Sequence, residues 1–152
     1  MTAADFTGGC QCGAVRFTVS GPLGRASICH CRMCQKAFGA FYGPLVAAPG
    51  LTWTRGAPTH FQSSNRARRG FCRDCGTPLT FEPDDGPVEL AIGAFDQPAG
   101  IAPTIQHGLE ARLPWLSDLD ALPVRTPQEA AAVAPYYASI RSFQHPDHDE
   151  TP

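Results

Sequence analysis

Short runs of alternating apolar and polar residues dominate the chain. In the stretch AVRFTV, Val15, Phe17 and Val19 fall on one face of an extended segment, which is typical of a half-buried strand. Similar short runs cover residues 41–47, 51–53, 59–62, 68–72, 79–82 and 88–92. Turn-forming sequences such as APG, RGAP and PDDGP separate them. The pattern predicts a mainly β fold of short antiparallel strands.

One helix is clearly signalled, near the C-terminus. Thr126 is placed to cap it, Pro127 suits its first position, and Glu129 completes a capping box. We expect Pro135 to end or kink this helix, because proline lacks the N–H that an interior helical position donates. The polar sequence QHPDHDETP that follows predicts a frayed tail.

Composition narrows the possible functions. With 152 residues, 43% of them hydrophobic, the chain suits one globular β domain over residues 1–125, followed by the helix and flexible tail over residues 126–152. Its net charge of −2 gives no basic surface, so nucleic acid is not an expected partner. The N-terminal sequence lacks a leader pattern, and no apolar run approaches the ~18 residues of a membrane span. We expect a soluble, cytoplasmic protein with no membrane partner.

Seven cysteines carry the candidate chemistry, and they fall into three short groups. Disulfides explain them poorly, because cytosolic thiols stay reduced and an odd number cannot all pair. Zinc is the cofactor that this arrangement favours. The groups are GGCQCG with Cys10 and Cys12, SICHCRMC with Cys29, Cys31 and Cys34, and FCRDCG with Cys72 and Cys75.

The first and third groups can form one closed site. Cys10 and Cys12 project to the same side if their segment is extended, and Cys72 and Cys75 surround a tight turn followed by Gly76, which tolerates a left-handed backbone. Four thiolates in a tetrahedron are the form that structural zinc takes. The spacing therefore favours a structural zinc that joins two distant segments.

The middle group, Cys29, Cys31 and Cys34, has no fourth cysteine. Three protein ligands with an exchangeable fourth position are typical of catalytic zinc, and zinc ionises a bound thiol. We interpret this group as a catalytic zinc site for a thiol substrate. An alternative grouping stays open, in which Cys10 and Cys12 join the last two cysteines of this group and a non-cysteine ligand completes a second structural site.

The histidines, arginines and aromatic residues near these motifs are expected to have mainly structural roles. His30 points away from its flanking cysteines if the segment is extended, so we expect a packing or supporting role, and we expect His60 and His107 to be hydrogen-bonded structural histidines. The arginines of NRARRG are expected on a solvated strand edge, with capture of substrate carboxylates as the functional alternative. These arginines are Arg66, Arg68 and Arg69. Three aromatic residues are expected in the core: Phe38, Phe41 and Tyr42.

The cysteine motifs resemble those of the glutathione-dependent formaldehyde-activating enzyme family, which includes relatives of centromere protein V and has an Mss4-like fold. GGCQCGAVRF, CHCRMCQKAFGAF, FCRDCGTPLTF and IQHGLEARLPWLSDLDALP carry the resemblance, over about residues 8–123. It implies antiparallel sheets stapled by two zinc ions. The structural zinc would be held by Cys10, Cys12, Cys72 and Cys75, and the catalytic zinc by Cys29, Cys31 and Cys34.

The resemblance also implies an activity, the condensation of glutathione with formaldehyde to S-hydroxymethylglutathione, which is classed in reverse as a carbon–sulfur lyase. The expected partners are then a small thiol and an aldehyde. Two other hypotheses remain: a non-catalytic zinc module whose KAFGAFYG surface binds a protein, and a thiol redox or zinc-storage protein. The coordination of the middle group distinguishes them.

Overall fold

The computed structural model describes residues 5–148, and within that range the chain forms ten strands and two α-helices. Short 3-10 turns occupy much of the chain between the ninth strand and the second helix. The elements are β1 Phe6–Gly9, β2 Arg16–Val19, β3 Ala26–Cys29, α1 Arg32–Phe38, β4 Gly43–Ala47, β5 Leu51–Arg55, β6 Thr59–Ser64, β7 Ala67–Phe71, β8 Pro78–Pro83, β9 Glu89–Ala91, β10 Ile105–His107 and α2 Pro127–Ser139.

The strands of the described range form two sheets. The smaller has the order β1-β2-β5, and the larger has the order β10-β3-β4-β9-β8-β7-β6. Neighbouring strands are antiparallel except β10, which runs parallel to β3. The predicted mainly β fold with a C-terminal helix is confirmed. β1, β3 and β10 were not predicted, because the sequences FTGG, ASIC and IQH each contain a single large apolar residue and so show no clear alternation.

One apolar cluster joins the two sheets. Phe17 of β2 and Leu79 and Leu90 of the larger sheet have no exposed area. Phe17 meets Trp53 and Phe95 edge to face, with ring centroids 5.9 and 5.2 Å away. Burial of such side chains contributes about 1.5–3 kcal/mol each, so this cluster is the main source of stability between the sheets.

A buried ion pair fixes the small sheet to the chain after β9. Arg16 donates two hydrogen bonds to the Asp96 carboxylate at 2.9 and 2.6 Å, and Thr7 donates a third at 2.5 Å. Burial acts to raise the pKa of Asp96, but the bonds from Arg16 and Thr7 hold it below its ordinary value. The carboxylate is therefore charged in the folded protein at neutral pH.

Both helices add to what the sequence predicts. α1 was not predicted, although Arg32–Phe38 contains good helix formers and the Cys31 side chain accepts a bond from the N–H of Cys34. The capping box of α2 is confirmed, but the helix does not end at Pro135 and continues to Ser139. α2 is largely exposed, so water can hydrate the carbonyl that Pro135 leaves without a helical partner.

Candidate metal centres

Four cysteine sulfurs meet where the segment after β1 approaches the turn after β7. The sulfurs of Cys10, Cys12, Cys72 and Cys75 all lie within 4.8 Å of one another, with Cys10 and Cys12 3.6 Å apart and Cys12 and Cys72 3.8 Å apart. A tetrahedral zinc site with 2.3 Å bonds has sulfurs about 3.8 Å apart, whereas a disulfide needs about 2 Å. The alternative grouping of Cys10 and Cys12 with cysteines of the middle group is wrong.

The first half of this four-sulfur group is built by a turn and not by a strand. β1 ends before Cys10, whose carbonyl accepts a 3.1 Å bond from the N–H of Gly13. The N–H of Val15 points to the Cys10 sulfur at 3.2 Å. The turn thereby brings Cys10 and Cys12 to the same side, as an extended segment would have done, and it directs a backbone N–H at the Cys10 sulfur.

The second half is a turn around Cys72 and Cys75. The N–H of Gly76 donates to the Cys72 carbonyl at 2.8 Å, and Gly76 has the expected left-handed backbone, with φ of 77°. The hydroxyl of Thr77 lies 3.2 Å from the Cys75 sulfur. Burial acts to raise the pKa of Cys75, but Thr77 and the Cys12 thiol lower it to about 6.

The remaining thiols of the group show why a cation suits it. The N–H of Ala14 acts to lower the pKa of Cys12, but desolvation and the neighbouring thiols raise it to about 12. Burial, the largest influence, raises the pKa of Cys72. Several sulfurs this close cannot all ionise by themselves, and a divalent metal removes that obstacle because a coordinating thiol loses its proton. All seven cysteines are free, and this donor set fits a metal such as zinc.

A second group, the three-sulfur group, lies at the junction of β3 and α1. Cys29 is the last residue of β3, Cys31 caps α1, and Cys34 lies in its first turn, so their sulfurs come within 4.8 Å of one another. The N–H of Cys34 approaches the Cys31 sulfur at 3.4 Å. Cys34 is buried, whereas Cys29 and Cys31 are partly exposed.

The protonation of the three-sulfur group again depends on its neighbours. Burial acts to raise the pKa of Cys31, but the N–H of Cys34 and the adjacent thiols lower it below its ordinary value. Burial raises the pKa of Cys29 and raises that of Cys34 to about 12. These three sulfurs therefore also fit a metal ion that would keep all of them ionised.

The three-sulfur group offers a metal ion only three protein ligands. Within residues 5–148, no histidine, aspartate, glutamate or further cysteine joins Cys29, Cys31 and Cys34 to make a fourth ligand, whereas the other group has four. His30 lies between the first two cysteines but turns away, and its Nε2 is 2.9 Å from Oε1 of Gln106. Its ring is fully buried and edge-on to Tyr42, as expected of a supporting residue.

A buried glutamine, which sequence reasoning missed, braces the three-sulfur group. Gln35 donates to the carbonyls of His30 at 2.7 Å and Ala111 at 3.0 Å, and it accepts a bond from Arg32 at 2.5 Å. These bonds link the cysteine loop, α1 and the segment after β10. No sequence signal marks Gln35, because its partners are backbone carbonyls, and one of them, that of Ala111, belongs to a segment far along the chain.

The segment after β10 also packs directly against the cysteine loop. The His107 carbonyl accepts a 2.8 Å bond from the N–H of His30. Gly108 has φ of 66°, and a Cβ there would lie only 2.7 Å from the backbone nitrogen of Cys31. Glycine is required at this position for both reasons, so the HG pair of the sequence shapes the three-sulfur group through its backbone.

Arg69 is a charged side chain in direct contact with the three-sulfur group. It is 8% exposed, and its Nη2 donates to the Cys34 sulfur at 3.3 Å. The other two arginines of NRARRG do lie at the surface, where Arg66 pairs with Asp84 and Asp85 and Arg68 pairs with Glu82. The expectation of a strand edge is wrong, because β7 pairs with β6 on one side and with β8 on the other, and for Arg69 the expected exposure to solvent is wrong as well. Strand alternation was the available signal, because Arg69 shares a face of β7 with the buried Ala67.

Two cavities adjoin Arg69. The first has a volume of about 460 Å³ and lies between α1 and β6, and the second, of about 350 Å³, lies beside it and reaches β8. Arg69, Ala37 and Phe61 line both. Phe38 also lines the second cavity and packs against the core, whereas Phe41 is not a core residue: it is 44% exposed and meets Trp115 edge to face.

No other histidine of the described range is a ligand in either sulfur group. His60 is hydrogen-bonded to Glu82 at 2.8 Å, as expected of a structural histidine. In the predicted tail, the N–H of His145 donates to the carbonyl of Gln11 at 2.8 Å, so this part of the tail contacts the turn of the four-sulfur group. Residues 149–152 of the tail lie outside the described range, and the division at residue 125 stays a prediction.

Comparison with known proteins identifies the family. A family model described as glutathione-dependent formaldehyde-activating enzyme matches residues 5–110, which include all seven cysteines. The chain belongs to the glutathione-dependent formaldehyde-activating enzyme family. Membership in this family supports an enzymatic role, and the predicted resemblance is confirmed. The match ends before Trp115 and α2.

A solved structure is also similar to this member of the glutathione-dependent formaldehyde-activating enzyme family. It is the crystal structure of a Rhodobacter sphaeroides protein, a structural genomics target, with 24% sequence identity and a TM-score of 0.51. The alignment covers 66% of this chain and 98% of that one. The likeness supports the fold. In the described part of the chain, no helix is both long and apolar enough to cross a membrane.

Proposed function

We propose that this chain is a zinc-dependent enzyme that adds a small thiol, such as glutathione, to an aldehyde such as formaldehyde. The reverse of this reaction cleaves a carbon–sulfur bond, so the enzyme is classed as a carbon–sulfur lyase. The observation that carries the proposal is the three-sulfur group, which has no fourth ligand within residues 5–148 and is linked to a cavity by Arg69, a residue that both contacts Cys34 and lines the cavity. A four-ligand group elsewhere in the same fold meets the structural need. Family membership supports the substrate class.

Cys29, Cys31 and Cys34 would hold the catalytic zinc in this proposal, and zinc there would supply the positive charge that lowers the pKa of an incoming thiol. α1 fixes Cys34, and Gln35 braces the loop that carries Cys31. Three thiolates and Zn²⁺ carry one net negative charge, and a fourth thiolate adds another. The guanidinium of Arg69, in contact with Cys34, offsets part of that charge.

The proposed reaction is a single addition of the thiol to the aldehyde. The thiol sulfur donates an electron pair to the aldehyde carbon, a carbon–sulfur bond forms, and the carbonyl oxygen takes a proton from water. The proton lost by the thiol returns to water, so atoms and charge balance without an oxidant. Cys29 and Cys31 are partly exposed, which lets water exchange protons beside the reacting sulfur. Met33, Ala37 and Phe61 give the first cavity an apolar wall for the body of the thiol.

Calorimetry of the zinc-loaded protein tests the thiol-binding step. We expect glutathione to bind much more tightly than S-methylglutathione, because only a free thiol can lose its proton and carry charge to the metal. Binding should release a proton, which measurements in two buffers of different ionisation enthalpy count directly. It should tighten as the pH rises toward the free thiol pKa of about 8.5. Cys34→Ser should lose the signal and keep its circular dichroism.

Exchange NMR with ¹³C-formaldehyde tests the chemical step. The zinc-loaded protein should accelerate formation of S-hydroxymethylglutathione, whereas Cys34→Ser should not. Arg66→Ala, which changes only an exposed ion pair, is the matched control and should remain as active as the unaltered protein. Equal affinity for glutathione and its S-methyl analogue, with no acceleration, would contradict the proposal and favour the non-catalytic zinc module.

A further inference from the structure

Arg69 makes an incomplete set of contacts for a buried charge. Its guanidinium lies over the ring of Phe81, with 4.9 Å between Cζ and the ring centroid, and its Nη2 donates to Cys34. Its Nε and Nη1 are buried and have no hydrogen-bond partner among the described residues. A buried charged group left without partners costs several kcal/mol, so a site of this kind usually has a function or a missing partner.

No carboxylate of the described chain fills that role. Glu89 is the acidic group whose pKa responds to Arg69, yet burial keeps this pKa raised, and the two residues form no ion pair. Glu82 pairs instead with His60 and Arg68. The unpartnered Nε and Nη1 of Arg69 lie on different edges of the guanidinium, so each matches a single acceptor oxygen of an external group, and a carboxylate supplies charged oxygens of that kind.

The charge of the adjoining cavity points to the same ligand class. Of the described residues that line the first cavity, Arg32, Lys36 and Arg69 are cationic, and none is acidic. The second cavity, which shares Arg69, also has no acidic residue in its described lining. Both cavities therefore attract anions and disfavour cations.

We propose that Arg69 binds the carboxylate of the thiol substrate and so selects anionic thiols over neutral ones. This inference rests on the proposed function. Because Nη2 of Arg69 is 3.3 Å from the Cys34 sulfur, one small molecule can reach the three-sulfur group with its thiol and Arg69 with its carboxylate. The substrate class is therefore a thiol with a carboxylate within the same small molecule, which includes glutathione and simpler mercaptocarboxylates.

Two matched thiols test this on the zinc-loaded protein. Calorimetry should show that 3-mercaptopropionate binds at least about tenfold more tightly than its neutral analogue 3-mercaptopropionamide, as expected for a buried charge-assisted pair. Arg69→Gln should abolish this preference and leave the affinity for the amide nearly unchanged. Arg69→Lys should retain part of it, because lysine keeps the charge but has only one donor nitrogen. Arg68→Gln, on the exposed neighbour, should retain the full preference.

The outcomes separate this inference from the proposed function. If the unaltered protein binds both thiols equally well, the carboxylate role of Arg69 is wrong while thiol binding stands. If it binds neither, the proposed function fails first. If Arg69→Gln loses its zinc or its fold, equal binding of the two thiols by the unaltered protein still overturns the inference, and Arg69→Lys then tests the residue itself. If the Arg69→Gln and Arg68→Gln variants prefer the carboxylate thiol over its amide equally, a cation other than Arg69 selects the substrate and the inference is wrong.

Discussion

The two sulfur groups contain similar ligands but connect the chain differently. The four-sulfur group joins segments 60 residues apart, between Cys12 and Cys72, whereas the three-sulfur group spans only Cys29 to Cys34. By the chain-entropy estimate for cross-links, closing the longer loop restricts the unfolded chain by about 4 kcal/mol and closing the shorter one by about 2 kcal/mol. We therefore expect a metal in the first group to support the fold and one in the second to be available for chemistry.

The largest expected effect comes from breaking the long-range link. Cys72→Ser should abolish cooperative thermal unfolding of the metal-loaded protein and leave much of it insoluble, because structural zinc binding is coupled to folding by ~10 kcal/mol or more. Cys72 is fully buried, and no further histidine, cysteine, aspartate or glutamate within residues 5–148 belongs to its group. Circular dichroism during heating measures this. Cys34→Ser is the matched control and should unfold cooperatively; if the two variants behave alike, the division of roles is wrong.

Metal removal should divide the groups in the same way. A mild chelator should take the ion from the three-sulfur group first, because an open coordination position lets the chelator attack. The fold should persist until the second ion leaves. Cobalt substitution gives the readout, since sulfur-to-cobalt absorption should fall in two steps and the circular dichroism only in the second. Loss of absorption and fold in a single step would contradict the comparison.

Asp96→Asn should weaken the small sheet, which carries the four-sulfur turn, by about 3 kcal/mol at pH 7, because Arg16 would lose its buried counter-ion. The folded pKa of Asp96 is lowered, so its contribution is complete above the unfolded pKa of about 3.9 and is lost as the pH falls through the folded value. Urea unfolding of both proteins at each pH measures the difference. A difference that stays constant down to pH 2 would exclude this ion pair as its cause.

Gln35→Ala should destabilise the three-sulfur region by about 1–3 kcal/mol, because it leaves the carbonyls of His30 and Ala111 without their donor. The ion of this group should then leave more easily, while the four-sulfur ion is retained. Chelation kinetics on the cobalt-substituted variant would show this. Gln62→Ala is a control on an exposed glutamine and should change neither rate. Faster loss of both ions would mean that Gln35 supports the whole fold.

Arg66→Ala should have the smallest effect, below about 1 kcal/mol, because its pairs with Asp84 and Asp85 are exposed and screened by water. Both metal ions and the thiol affinity should be unchanged. Urea unfolding and calorimetry check this. A larger loss would show that the arginine stretch acts as one unit and would remove the distinction between Arg66 and Arg69.

Much of the fold followed from alternation and turn residues. Seven of the observed strands correspond to predicted runs, and α2 begins at the predicted cap. α1 was missed because the cysteine spacing of SICHCRMC favours a metal-binding turn as strongly as its composition favours a helix. β10 was missed because its partner β3 lies far away in the chain, and three residues show no pattern of their own.

The sequence by itself determined which sulfurs are near one another within each motif, since one or two intervening residues fix that distance locally. It favoured a grouping of four cysteines in two pairs and three in one stretch, but only the distances between the sulfurs excluded the alternative grouping. The three-sulfur geometry follows from the same short spacing. These are local properties of the chain, and local geometry is what a sequence shows most directly.

Only the tertiary structure decided what surrounds those sulfurs. Arg69 and Arg68 are adjacent and chemically identical, yet one contacts Cys34 and the other faces water. Gln35 became a brace because a segment over seventy residues later supplies the carbonyl of Ala111. Alternation tells which side chains share a face of a strand, but which face is covered depends on the packing of distant elements. Burial of a charge is set by that packing, and with it the chemistry of the site.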